Sequence, residues 1–329
     1  MIESPGMWKP FSECVDDFVL GARAIFSPRA LRGGGDAAPP GLDELVAEQE
    51  ARPPEVRWPA RLDRRVGRIS LRMPVIDFDT FADFHPARDA AADTLFVYHH
   101  GLSEFPHDGS AGKILGRGRL AERVDWFAIR GPHHDSRAAV DDRLLLSQES
   151  FAKGLLSSVF TARALAAPLR ARYKHVVIGG MSMGGVIALI ESAIGSAFDL
   201  CVPLMAGPDL ESVLLRSSFS RVVCPQYRER AAHARFATRL DLVERLARRD
   251  GPPIRAVLSI YDRLFRIEAQ RAAYAPVARA AVTEISGGHL TGALQFRKLA
   301  ALIEAALERE CWSRGPGARR AAPPLASVA

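Results

Sequence analysis

From His175 to Ile190 the chain reads His-Val-Val-Ile-Gly-Gly-Met-Ser-Met-Gly-Gly-Val-Ile-Ala-Leu-Ile. A short β-branched run, Val176 to Ile178, has the character of a buried parallel strand. The run from Val186 is apolar on its early turns, as a buried helix is. Between them stands Gly180-x-Ser182-x-Gly184. A serine at so sharp a strand-to-helix turn holds its hydroxyl clear of the backbone. Flanking glycines let strand and helix approach closely around a strained residue. The helix N-terminus then points free N–H groups at any anion forming beside Ser182. A tight turn with an incidental serine would need none of this context.

Strand-like and helix-like segments alternate along the rest of the chain. Strands are expected over 66–78 (a strand or hairpin), 93–100, 124–129, 175–178, 198–205, 254–260 and 281–285. Pro74 demotes the second half of the first of these to an edge. Helices are expected over 11–26, 42–50, 144–173 and 297–310. Such alternation predicts an α/β fold, with a mostly parallel sheet covered by helices on both faces. The expected organisation is a partly helical N-terminal extension (1–63), a main domain (64–312) and a disordered tail (313–329). Residues 209–250 carry Arg-rich helical segments without a clear strand. They are much longer than the usual connection of about 2–6 residues, and are read as an inserted helical cap whose Leu214, Leu215, Phe219, Val222 and Val223 line a pocket.

Composition narrows the function classes. A chain of 329 residues, 48% apolar and 25% charged, is that of a globular protein with a sizeable core. The net charge of +6 is modest and its arginines are interleaved with acids, unlike a concentrated nucleic-acid-binding face. No apolar run approaches the roughly 18 residues of a membrane span, and no secretory signal is visible. A cytoplasmic setting is therefore expected. Cys14, Cys201, Cys224 and Cys311 are widely spaced and form no zinc-type pair.

A serine hydroxyl becomes a good nucleophile when a base takes its proton, and that base is usually a histidine steered by a carboxylate. One known chain order is Ser, acid, His. Asp262 follows the strand at 254–260, at the C-terminal end of the strands, where sites in open α/β sheets form. His289 follows Ser286-Gly287-Gly288 after the last strand. Asp209 is a second candidate acid. Either aspartate could instead cap the helical segment after it. An oxyanion hole needs two aligned backbone N–H donors. Met183, next to the serine, supplies one, and Leu102 in the loop His100-Gly101-Leu102 supplies the other. His100, Gly101, His133 and His134 are candidate pocket-lining residues. The spacing of His99, His100, His107, His133 and His134 matches no known metal motif, so no metal is expected.

Together, His100-Gly101, Gly180-x-Ser182-x-Gly184-Gly185, Asp262 and Gly288-His289 resemble the α/β-hydrolase superfamily of serine hydrolases over roughly residues 64–310. The loop Arg130-Gly-Pro-His-His-Asp-Ser136 is similar to the Pro-Gly-His-Gly-x-Ser loop of that superfamily, without the glycine between histidine and serine. The resemblance implies a sheet of about eight strands, no cofactor, and cleavage of an ester, thioester or amide through an acyl-enzyme. Acyl transfer, peptidase activity and a non-catalytic binding role are the alternatives. The expected partner is a small-molecule acyl substrate, with neither nucleic acid nor integral membrane association. A homo-oligomer is left open.

Overall fold

The structure, a computed structural model, describes residues 5–26, 31, 40–59, 67–89, 92–195, 197–228 and 240–313, with 5–7 and 20–26 as backbone only. Its described strands form one sheet of nine, in the order β1-β2-β3-β5-β4-β6-β7-β8-β9. They are β1 (Glu55–Arg57), β2 (Gly67–Met73), β3 (Phe78–His85), β4 (Thr94–His99), β5 (Val124–Ile129), β6 (His175–Met181), β7 (Leu200–Leu204), β8 (Ile254–Ser259) and β9 (Ala280–Ile285). β1, β2 and β3 are antiparallel, and β3 meets β5 antiparallel. From β5 through β4 and β6 to β9, every pairing is parallel.

Two expectations are corrected at the antiparallel end. The 66–78 segment becomes a hairpin that reaches His85, and β3 is an interior strand between β2 and β5. Pro74 lies in the 3-10 turn Pro74–Ile76, outside both strands. A residue without an N–H therefore costs the ladder nothing there. The short strand β1 is the ninth, drawn from the expected N-terminal extension.

Strand periodicity builds a core on each face. In β4, Leu95 and Val97 face one apolar layer, while Phe96 and Tyr98 face the other. The first layer is completed by helices Gln148–Ala166 and Met183–Ile194. The second is completed by Gly109–Leu115 and Phe296–Leu307, the latter burying Leu299, Ala300, Ile303, Ala306 and Leu307 along one stripe. Each fully buried aliphatic side chain contributes about 1.5–3 kcal/mol relative to exposure.

The N-terminal helix Pro5–Phe26 packs on the short helix His289–Ala293 and on the turn Ser218–Arg221. Leu42–Ala51 packs on Gln148–Ala166. Within 209–250, Leu210–Arg216, Ser218–Arg221 and Leu242–Arg248 are helical. The middle of that segment lies outside the described residues, as does the expected tail beyond Ser313. Among the described residues, no helix is long and apolar enough to cross a membrane.

Candidate active site

Strand order reverses at β4. Its neighbour on one side is the next strand in the chain, β5, and on the other side β6. Chains leaving β4 and β6 therefore diverge and open a crevice at their C-terminal ends. The register pairs His99 with Gly180, so Gly101 comes beside Ser182. A Cβ placed on Gly101 would lie 3.7 Å from Ser182 Cβ.

Ser182 adopts φ 53°, ψ −111°, between β6 and the helix Met183–Ile194. Its glycines are required by distance. A Cβ on Gly180 would stand 2.1 Å from the carbonyl oxygen of His99, and one on Gly184 would stand 2.0 Å from the same atom. Met183 opens the helix, so its N–H has no partner within the helix.

The loops after β8 and β9 bring two further side chains to the crevice. His289 Nε2 lies 2.9 Å from Ser182 Oγ, and His289 Nδ1 lies 2.8 Å from Asp262 Oδ2. The N–H groups of Leu264 and Phe265 donate to Asp262 Oδ1 at 2.7 and 2.8 Å. Asp262 thus both caps its loop and meets the imidazole, so the two readings of this residue coexist. Phe265 stacks on His289 with ring centres 5.7 Å apart. Burial opposes the charged imidazolium of His289. The charge and hydrogen bond of Asp262, with the charge of Asp16, outweigh burial and hold its pKa above the usual histidine range.

Asp209 is elsewhere. Its Oδ1 accepts the N–H of Ser212 at 2.9 Å, as the cap of Leu210–Arg216. It is not among the groups that contact His289.

The expected pocket lining by histidines is corrected. Gly101 and Leu102 border the cavity above Ser182, whereas His100, His133 and His134 do not. His100 is buried beneath the loop. The N–H of Gly131 donates to His100 Nε2 at 2.8 Å, so Nδ1 carries the proton and donates to the Gly101 carbonyl at 2.8 Å. Burial, with the neighbouring His134, keeps His100 neutral, well below the usual histidine range. In a trans peptide the C=O and N–H are opposed. Holding the Gly101 carbonyl therefore aims the Leu102 N–H the other way. His134 is buried between the carbonyls of Pro132 and Leu102, at 2.9 and 3.0 Å. His133 packs on Phe78. His100 and His134 thus hold backbone groups of the two loops, while His133 packs on a side chain.

Two carboxylates that the sequence reading did not single out also border the cavity. Glu104 accepts the N–H of Gly101 at 3.2 Å, the N–H of Ser110 at 2.5 Å and the Ser110 hydroxyl at 2.8 Å. Asp16, on the N-terminal helix, is fully buried. Its Oδ2 accepts the N–H of His289 at 2.6 Å and its Oδ1 accepts that of Leu290 at 3.0 Å.

The cavity has a volume of about 440 Å³ and mostly apolar walls. Phe151, Val186, Leu214, Phe219 and Phe296 are among its lining residues. Leu210, Val213, Leu214 and Phe219 come from the expected cap segment, but Leu215, Val222 and Val223 do not line it: the two valines are buried in the core and Leu215 packs against that core. Among the described residues, no group of three or more His, Cys, Asp or Glu is placed to hold a metal ion.

No protein-family model and no curated protein matches the chain. Solved structures do match. The chain is similar to a cold-adapted esterase from an Arctic intertidal metagenomic library, at 16% identity and TM-score 0.52, covering 77% of this chain and 99% of that one. A Pyrococcus furiosus esterase matches at 12% identity and TM-score 0.52, over 77% of this chain and 96% of that one. A Pyrococcus horikoshii acylaminoacyl peptidase matches at 12% identity and TM-score 0.51, over 83% of this chain and 44% of that one. Identities this low speak to architecture alone: over the matched residues this chain shares the fold of these esterases and of this peptidase.

Proposed function

We propose that the protein is a serine hydrolase that cleaves a carboxylic ester with an apolar acyl group. One observation carries the reading: the two-bond chain from Ser182 Oγ through His289 to Asp262, at 2.9 and 2.8 Å, at the edge of an apolar cavity. Ser182 Oγ attacks the acyl carbon while His289 Nε2 takes its proton. The oxyanion that forms is met by the N–H groups of Leu102 and Met183, each worth about 10²–10³ in kcat. His289 then returns the proton to the leaving alkoxide, and an acyl-Ser182 ester remains. Water attacks that ester with His289 again as base, releasing the acid and restoring Ser182. Asp262 holds the Nδ1–H tautomer and stabilises the imidazolium.

The apolar walls favour an alkyl or aryl acyl chain over a charged one, because a buried unpaired charge costs several kcal/mol. The described helical turns Leu210–Arg216 and Ser218–Arg221 act in this reading as a cap, with Leu214 and Phe219 over the acyl chain. A fluorophosphonate probe is expected to label Ser182, and Ser182→Ala to lose both labelling and ester turnover. Equal labelling or turnover in the alanine variant would remove the proposal. A panel of p-nitrophenyl esters then reads the preferred chain length.

A further inference from the structure

We infer that Asp16, on the N-terminal helix, is a positioning residue that holds the base His289 and the loop of the acid Asp262 in register, making that helix part of the active site. The inference rests on the serine-hydrolase reading, since it concerns how that reading's base is held.

Asp16 has no exposed surface, and Ser12, one turn before it on the same face, has none either. The Asp16 carboxylate accepts three backbone N–H groups. His289 and Leu290 donate at 2.6 and 3.0 Å, and Arg263, the residue after Asp262, donates at 3.3 Å. One side chain therefore ties the loop carrying the acid to the loop carrying the base. The His289 amide is fixed at one end of the residue, and the Asp262 contact fixes the ring at the other. With both fixed, the 2.9 Å approach of Nε2 to Ser182 Oγ follows.

The surroundings are built for this contact. A Cβ on Gly288 would come within 2.6 Å of Asp16 Oδ2 and 2.9 Å of the Ser12 carbonyl, so only glycine admits the helix this close. Thr291 Oγ1 bonds Ser12 Oγ at 3.1 Å and accepts the Gly288 N–H at 2.8 Å. The neighbouring Asp17 works outside the site, accepting from the Ser218 hydroxyl at 2.6 Å and pairing with Arg263 and Arg221. It docks the same helix without touching His289.

Asp16 also places charge. The charged groups facing His289 are Asp262 from the β8 loop and Asp16 from the N-terminal helix, and Arg263 turns to Asp17. Burial raises the pKa of Asp16 itself, opposed by the N–H groups of Leu290 and His289. Its anion favours the imidazolium of His289.

The test compares Asp16→Asn with Asp17→Asn in the full chain, using a short p-nitrophenyl ester. Asparagine keeps the volume, but removes the charge and turns an N–H₂ toward a backbone N–H. We expect Asp16→Asn to lower kcat by about 10-fold or more, part of the 10²–10⁴ a placed base supplies, with KM nearly unchanged. The acid limb of its kcat/KM profile should also move to lower pH, because the ring has lost an anion. Asp17→Asn should leave that limb in place. An unmoved limb with kcat within about twofold of the parent, or equal effects of the two variants, would overturn the inference. If Asp16→Asn does not fold, Gly288→Ala serves, since its methyl displaces the carboxylate. Parent-like kcat in Gly288→Ala overturns the inference equally. Ser182→Ala is measured alongside. Turnover surviving there defeats the serine-hydrolase reading itself, whereas turnover lost there with a parent-like Asp16→Asn defeats only the role of Asp16.

Discussion

His100 Nε2 accepts the amide hydrogen of Gly131 at 2.8 Å, and this single contact sets which ring nitrogen is left to grip the Gly101 carbonyl. A backbone N–H can only donate, so the tautomer has no freedom. Replacing His100 by Ala removes one of two holds on the Gly101 carbonyl, leaving the Glu104 N–H at 3.1 Å, and so loosens the 101–102 peptide. The expected result is a fall in kcat toward the 10²–10³ cost of a lost oxyanion donor, with fluorophosphonate still reaching Ser182. Steady-state kinetics showing kcat within about twofold of the parent would contradict this role.

Asp262 and Asp209 should separate cleanly. Asp262→Asn disfavours the Nδ1–H tautomer of His289, and the precedent for that change is a loss of about 10⁴ in kcat. Asp209→Ala removes the cap of Leu210–Arg216 and costs about 1 kcal/mol of stability, with turnover kept. Ester kinetics and thermal melts on both variants check the pair. Comparable kinetic losses would move the acid away from Asp262.

The pH profile has a defined sign. His289 must be neutral to accept the Ser182 proton, and its folded pKa lies above the ordinary 6.5. The acid limb of kcat/KM is therefore expected at a midpoint above 6.5. Stability runs the other way. A raised histidine pKa stabilises the fold fully below the unfolded value, and that contribution is lost as pH rises through the folded value. His289 thus favours folding where it disfavours turnover. A kcat/KM titration with a midpoint below 6.5 would contradict the arrangement.

Acyl selectivity should respond to the segment above the cavity. Phe219→Ala enlarges the space that Phe219 and Leu214 line, so the preferred p-nitrophenyl ester should lengthen. Leu214→Trp should shorten it. Both variants should keep labelling by a small fluorophosphonate. An unchanged chain-length profile in both would place the acyl group elsewhere.

How much of this was legible in the sequence depends on how local each constraint is. The serine turn is legible within a few residues, because Gly180 and Gly184 flank Ser182 in the sequence, even though the His99 carbonyl that both must clear sits on β4. Asp262 and His289 stand just past strand ends, and strand ends are visible as apolar runs. The histidines at 100, 133 and 134 misled because a loop histidine looks the same whether it faces a cavity or, like His100, serves buried carbonyls. Helices Gly109–Leu115 and Gly118–Arg123 were not anticipated. Their glycines depress helix propensity, and burial of Ile114, Leu115 and Leu120 supplies what propensity lacks. Asp16 left no trace, since its partner His289 lies 273 residues away and nothing local distinguishes it from a solvated acid.

Ser182 stands at a backbone position that suits glycine better than serine. At φ 53°, ψ −111° a side chain is strained and glycine is at ease. Ser182→Gly is therefore expected to abolish turnover and yet melt higher than the parent, by an amount on the order of 1–3 kcal/mol. A lower melt would mean that hydrogen bonding to His289 outweighs the conformational cost. Random variants screened only for heat resistance would drift toward an inert protein at this codon, so any stabilisation campaign on this scaffold has to score chemistry alongside temperature.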